Sequence, residues 1–247
     1  MKKIMMLLIA AVMLFGVSGQ AMASYSQGDL IQVVYQMGGS MEVATDLGAF
    51  APTTAYAGST LNFNTNPFPV AGTGVFAGAA SSDLQIAYYV IGSGAATIWT
   101  SGPQAGQVSG ARQGSAVGAM QNVNNKYASL GTGSQATLAQ SDIQSYYTIG
   151  DKGKAGNGVF AGFIPLANGE QNLGALSTTG YVDSYLYYYA TPGATSAKAG
   201  VQVATIRTLA NGTSQVLGQV TTPIPASVLL LGSGLMGLVG MRRKQSV

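Results

Sequence analysis

The sequence predicts a mainly β, antiparallel, sandwich-like domain with a small helical insertion. Three observations carry that expectation. Apolar and polar residues alternate with a period of two in several short runs, glycine- and asparagine-rich turns join consecutive runs in hairpin order, and only the middle of the chain shows a helical period. Strands and helices do not alternate as βαβ units, so the sheet is expected to be antiparallel.

Asp29 to Gln36 is rich in apolar and β-branched residues, Gly38-Gly39-Ser40 interrupts it, and Met41 to Leu47 resumes, which predicts an opening hairpin. Pro52 to Pro69 predicts a loop with at most a short edge strand around Leu61-Asn62-Phe63, because Pro67 and Pro69 are incompatible with a central strand. Leu84, Ile86, Tyr88 and Val90 alternate with Gln85, Ala87, Tyr89 and Ile91, and Ala96 to Thr100 can return beside them after Gly92-Ser93-Gly94.

In the middle, Ala116, Met120, Val123, Tyr127 and Leu130 form a stripe at spacings of three and four, a helix stopped by Gly131. Thr137 to Tyr147 is expected to form a second, shorter helix, and Asp151 to Gly158 a loop. Val159 to Ile164 and Tyr181 to Ala190 then predict strands. Val201 to Leu209 and Ser214 to Val220 flank Asn211-Gly212, a strong hairpin signal. The expected total is seven or eight strands and two helices. Gly72 to Gly78 is echoed by Gly156 to Gly162 as Gly-x-Gly-Val-Phe-Ala-Gly, for which shared turn geometry and a duplicated sheet are both open readings.

Composition excludes much chemistry. Histidine and cysteine are both absent, which removes imidazole and thiolate ligands, triad-type nucleophiles and disulfides, so no metal or other cofactor is expected. The formal charge of +3 rests on the chain ends. Setting aside Lys2, Lys3, Arg242, Arg243 and Lys244 leaves six basic against eight acidic residues, a net −2. The remaining cations, among them Arg112, Lys126 and Arg207, are scattered, so a nucleic-acid partner is not expected.

Two candidate sites follow from the acids and one from the aromatics. Glu42 and Asp46 lie four apart on a predicted strand, hence on one face at about 13 Å, too far for a retaining glycosidase pair and read as solvated strand polars. Asp151 to Asn157 carries oxygen ligands but also Lys152 and Lys154, which repel a cation, so a solvated turn is expected. Trp99, Tyr187, Tyr188 and Tyr189 supply flat rings with polar handles, suited to glycan stacking or partner contact. Tyrosine is also simply favoured in strands. Alternation sends Tyr187 and Tyr189 to one side and Tyr188 to the other, with at least one face expected to be solvent-accessible. Asn211-Gly212-Thr213 fits a glycosylation sequon, though a hairpin turn demands the same residues.

The ends of the chain read as targeting signals. Lys2 and Lys3 precede an apolar run from Ile4 to Val17, and Ala21-Met22-Ala23 offers a cleavage site before Ser24, so residues 1–23 are expected to be a signal peptide read by the Sec export machinery. At the other end, Pro223-Ile224-Pro225-Ala226 leads into an uncharged stretch to Met241 and then Arg242, Arg243 and Lys244. The stretch is just long enough to span a bilayer, and its basic end is expected to stay cytoplasmic, leaving residues 24–221 outside. Within that body the helical insert is expected at about residues 112–147.

Together, residues 222–247 resemble the sorting tail of PEP-CTERM proteins, the exosortase substrates of Gram-negative bacteria, in the variant with Pro-hydrophobic-Pro-Ala followed by Leu231-Gly232-Ser233-Gly234-Leu235. The resemblance is confined to the tail. It implies recognition of the Pro-Ile-Pro region by an exosortase-like transpeptidase in the membrane, removal of the tail, and a non-catalytic cell-surface or extracellular-matrix protein associated with exopolysaccharide or with copies of itself. Three other readings stay open: a tail kept as a plain C-terminal membrane anchor, a secreted carbohydrate-active enzyme or glycan-binding module, and a filament subunit joined through strand edges.

Overall fold

The computed structural model describes residues 25–63, 67–92, 97–102, 108–109, 113–130, 133–150, 169–190 and 198–218. The signal-type segment with Ala21, Ala23 and Ser24, the loop at 151–158, the predicted strand Val159 to Ile164, the second copy of the Gly-x-Gly-Val-Phe-Ala-Gly echo, and the tail with Pro223 to Ala226 and Arg242 to Lys244 lie outside those residues.

Twelve strands are described: β1 Asp29–Gln36, β2 Met41–Ala49, β3 Leu61–Phe63, β4 Leu84–Ile91, β5 Ile98–Gly102, β6 Val108–Ser109, β7 Gln135–Ala139, β8 Glu170–Asn172, β9 Tyr181–Tyr189, β10 Lys198–Ala199, β11 Val201–Leu209 and β12 Ser214–Leu217. One long helix, α1 Gln113–Leu130, and two single turns, α2 Tyr146–Ile149 and α3 Leu176–Thr179, accompany them. Ten strands form one sheet in the order β3-β12-β11-β9-β5-β4-β1-β2-β7, with β8 on β4, while β6 and β10 pair separately. Every pairing is antiparallel. The fold is therefore mainly β and antiparallel, as the alternation and hairpin order predict.

The predicted opening hairpin, the edge strand at Leu61–Phe63, the β4–β5 pair and the β11–β12 hairpin are all present. At the last of these, Gly212 takes a φ of +83°, and its carbonyl accepts a hydrogen bond from the Phe68 amide at 3.0 Å. A side chain there would be strained and would meet the Phe68 carbonyl. Asn211 Oδ1 accepts from the Thr213 amide at 3.1 Å, so the turn reading of Asn-Gly-Thr has a direct structural basis.

The middle of the chain departs from expectation. α1 forms and buries Ala116, Met120, Val123 and Tyr127, but Leu130, at its last position, is exposed. The second predicted helix is mostly absent: Gln135–Ala139 is strand β7, paired along β2, and only Tyr146–Ile149 is helical. Alanine, glutamine and leucine favour a helix locally, yet the open edge of β2 supplies hydrogen bonds that an isolated short helix would lack.

The sheet is curled until its two halves touch. Gln32 on β1 and Ser214 on β12 are five strand spacings apart, roughly 24 Å in a flat sheet. Gln32 Nε2 nevertheless donates to Ser214 Oγ at 2.7 Å and to Tyr88 Oη at 3.2 Å. The Tyr88 hydroxyl also lies 2.8 Å from both Thr208 Oγ1 and Ser214 Oγ. Around this buried polar knot, Leu30, Val34, Ile86, Val90, Leu186 and Ile206 fill the inner core. On the opposite face, Ile31, Val33, Tyr35, Ala87 and Tyr89 form a second core with the apolar stripe of α1. β1 and β4 are thus covered on both sides.

Tyr88→Phe would leave three buried polar groups short of a partner and lower stability by about 1–3 kcal/mol in urea denaturation, with the fold retained. Unchanged stability would mean that closure of the sheet does not depend on the hydroxyl.

Candidate functional site

β2 aims Glu42 and Ala44 toward the α1 side of the sheet, and α1 with the segment from Ser134 to Gly150 covers them. Glu42 is fully buried. Its Oε1 accepts from Tyr127 Oη at 2.6 Å and from the Tyr146 amide at 2.8 Å, and its Oε2 accepts from the Tyr147 amide at 2.8 Å. The two amides are first-turn groups of α2 with no helical acceptor of their own, and Ser145 Oγ caps the Thr148 amide at 3.0 Å. One carboxylate therefore joins β2, α1 and α2.

Burial pushes the Glu42 carboxyl up to about 7, against the hydrogen bonds from Tyr127, Tyr147 and Tyr146, and the neighbouring Asp142 charge adds to the rise. Asp142 pairs with Lys126 at 2.9 Å. A shell of tyrosines encloses the group. Tyr146 stacks on Tyr89 at 5.9 Å between centroids, and its hydroxyl donates to Glu170 Oε1 at 2.9 Å. Tyr146 thus touches both buried glutamates. Asp46, further along β2, accepts from the Tyr25 amide at 3.0 Å and the Gly48 amide at 2.7 Å.

The expectation that Glu42 and Asp46 are solvated is corrected by this arrangement. They do share a face, but α1 and the segment leading to α2 bury it, and the acids serve as acceptors for otherwise unpaired donors. Among the described residues, no group of three acids converges to hold a metal ion. A cleft of about 240 Å³ between Phe68, Val70, Leu84 and Leu176 is lined without any ionisable side chain.

The predicted aromatic contact surface is also corrected. Trp99, Tyr187 and Tyr189 are buried. Tyr187 and Tyr189 pack in the α1-side core, while half-buried Tyr188 turns to the other face, as alternation requires, and lies 4.7 Å from Trp99. Trp99 Nε1 donates to the Pro52 carbonyl at 2.6 Å. Both faces of β5 and of the end of β9 are covered, so these rings are core.

What solvent meets is the outer face of the half-sheet β9–β11–β12–β3. Asp183, Arg207, Gln215 and Asn62 stand in register across its four strands. Arg207 forks onto Asp183 through two bonds of 2.8 Å, and Gln215 Nε2 donates to Asn62 Oδ1 at 2.7 Å. The Arg207 guanidinium also lies 3.9 Å from the centre of the Tyr181 ring, which is 39% exposed. In the sequence Arg207 stands out only as one of the scattered cations, Asn62 as part of a short edge strand and Tyr181 as the start of a strand. The available signal was the alternation of Thr205 and Arg207 with buried Ala204 and Ile206 along β11.

No family model, curated protein or solved structure matches the chain. Among the described residues no helix is long and apolar enough to cross a membrane.

Because the folded-state pKa of Glu42 is raised, its protonated form favours the native state. The associated stability is complete below about pH 4.5 and is lost as pH rises through about 7. The loss is on the order of 3 kcal/mol between pH 4 and pH 8. Chemical denaturation across that range should show the decline, and Glu42→Gln should flatten it. A slope unaffected by the substitution would assign the pH dependence to another group.

Proposed function

We propose that this is an exported, non-catalytic cell-surface or extracellular-matrix protein, a sandwich-like β body carried outward by the Sec machinery. An exosortase-like transpeptidase then removes its membrane-spanning tail at the Pro223-Ile224-Pro225-Ala226 region. The observation that carries this reading is the sequence pattern at the two ends: Lys2 and Lys3 before an apolar run and Ala21-Met22-Ala23, and Pro223-Ile224-Pro225-Ala226 before an uncharged stretch and Arg242, Arg243 and Lys244. Tyr25, next to the expected cleavage point, is already buried, and its hydroxyl donates to the Ala44 carbonyl at 3.1 Å.

A structural rather than catalytic role is favoured by the way the interior uses its polar groups. Glu42 spends both oxygens on three donors, Tyr146 binds Glu170, and the apolar cleft lies among other residues. An enzyme working through carboxylates would need two of them convergent on an open site. A filament joined through strand edges draws less support, because the described edge strands β3 and β7 have only three and five residues.

Intact-mass measurement of the protein recovered from outside an expressing Gram-negative cell should give a chain beginning at Ser24 and ending near Pro223 to Pro225. A recovered mass that still includes Arg242 to Lys244 contradicts processing, and a chain confined to the cytoplasm contradicts export.

A further inference from the structure

We infer that the outer face of β9–β11–β12–β3 binds a neutral, hydroxyl-rich polysaccharide chain laid across the strands. The inference rests on the surface location proposed above and adds a partner and a site to it. The row Asn62, Gln215, Arg207, Asp183 crosses four strands, roughly 14 Å from end to end. Along this row Gln215 spends a donor and Asn62 an acceptor on each other. The Gln215 carbonyl oxygen and the Asn62 amide nitrogen therefore remain to accept from and donate to successive hydroxyls.

Tyr181 supplies the apolar ring face that a pyranose stacks on, and it is held ready for this. Asp183 fixes the guanidinium through the fork, and the guanidinium braces the Tyr181 ring, which stays 39% exposed. A braced ring loses little side-chain entropy when a ligand arrives. Thr205, in register on the far side of the row, adds a hydroxyl, while its neighbour Tyr185 packs against the α1-side core.

Charge selects against the other partners. Arg207 is neutralised by Asp183, so the face has no net positive field for nucleic acid or an acidic polymer. Packing a second copy's sheet on it would bury that ion pair and the amide row, at a desolvation cost that an apolar face would not incur. An uncharged polyol can meet the same groups hydrogen bond for hydrogen bond.

The test is affinity electrophoresis of the full chain as recovered from an expressing Gram-negative cell, with its mass determined first. Native gels would contain hydroxyethylcellulose, mixed-linkage β-glucan or alginate. Retardation is expected with at least one of the two neutral polymers and not with alginate. Tyr181→Ala should weaken it roughly three- to tenfold, the worth of one aromatic contact. Gln215→Ala should weaken it further, and thermal melting should show both variants folded. No retardation by either neutral polymer, in protein whose mass matches the processed form, overturns the inference and leaves the sorting account standing. Retardation insensitive to both substitutions places binding elsewhere and also overturns it. So does a dimer, seen by analytical ultracentrifugation, that Tyr181→Ala dissolves.

Discussion

Tyr88 Oη lies 2.8 Å from Thr208 Oγ1 and from Ser214 Oγ, with Gln32 Nε2 bonded to both the tyrosine and the serine. A ten-stranded sheet with no covalent crosslink can bury its inner face only by folding over, and these four side chains mark where the fold-over closes. Polar groups at the centre of an apolar core are costly unless each finds a partner. Only a narrow range of curl lets all four do so. The surrounding leucines, isoleucines and valines supply the driving force, and the polar knot supplies the geometry.

From that curl follows which side of each strand meets water. β1, β4 and β5 acquire a second half-sheet on one face and α1 on the other, so Trp99, Tyr187 and Tyr189 become core residues. The half-sheet β9–β11–β12–β3 is covered on its inner face and leaves Asn62, Gln215, Arg207, Asp183 and Tyr181 outward. Glu42 sits at the junction of β2, α1 and α2 as the acceptor for helix amides that would otherwise be orphaned. It couples the attachment of the helical layer to pH, because burial opposes its ionisation. The protein thus uses Glu42, Asp46, Glu170 and most of its described aromatic rings as internal structure.

Much of the fold was legible in the chain. Proline at 67 and 69 restricted Leu61–Phe63 to an edge, and it is the edge strand beside β12. The stripe Ala116, Met120, Val123, Tyr127 is buried as its spacing requires. β7 was not legible, because Gln135 to Ala139 carries a helix-tolerant composition and becomes a strand only through the open edge of β2. β8, three residues long, offers no periodicity at all. At the site level, the shared face of Glu42 and Asp46 was legible and its burial was not, since nothing in β2 records that a helix 70 residues later will cover it.

The sequence by itself determined which residues share a face, the antiparallel hairpin order, the position of the one long helix, and the absence of imidazole and thiolate chemistry. Those are local properties, set by period, turn residues and composition. Only the tertiary structure decided which face is inside, which tyrosines are core, and which charges pair. These depend on contacts such as Gln32 with Ser214, 182 residues apart. Alternation guarantees that a strand has two sides. Which of them is dry is decided by what the rest of the chain places against it.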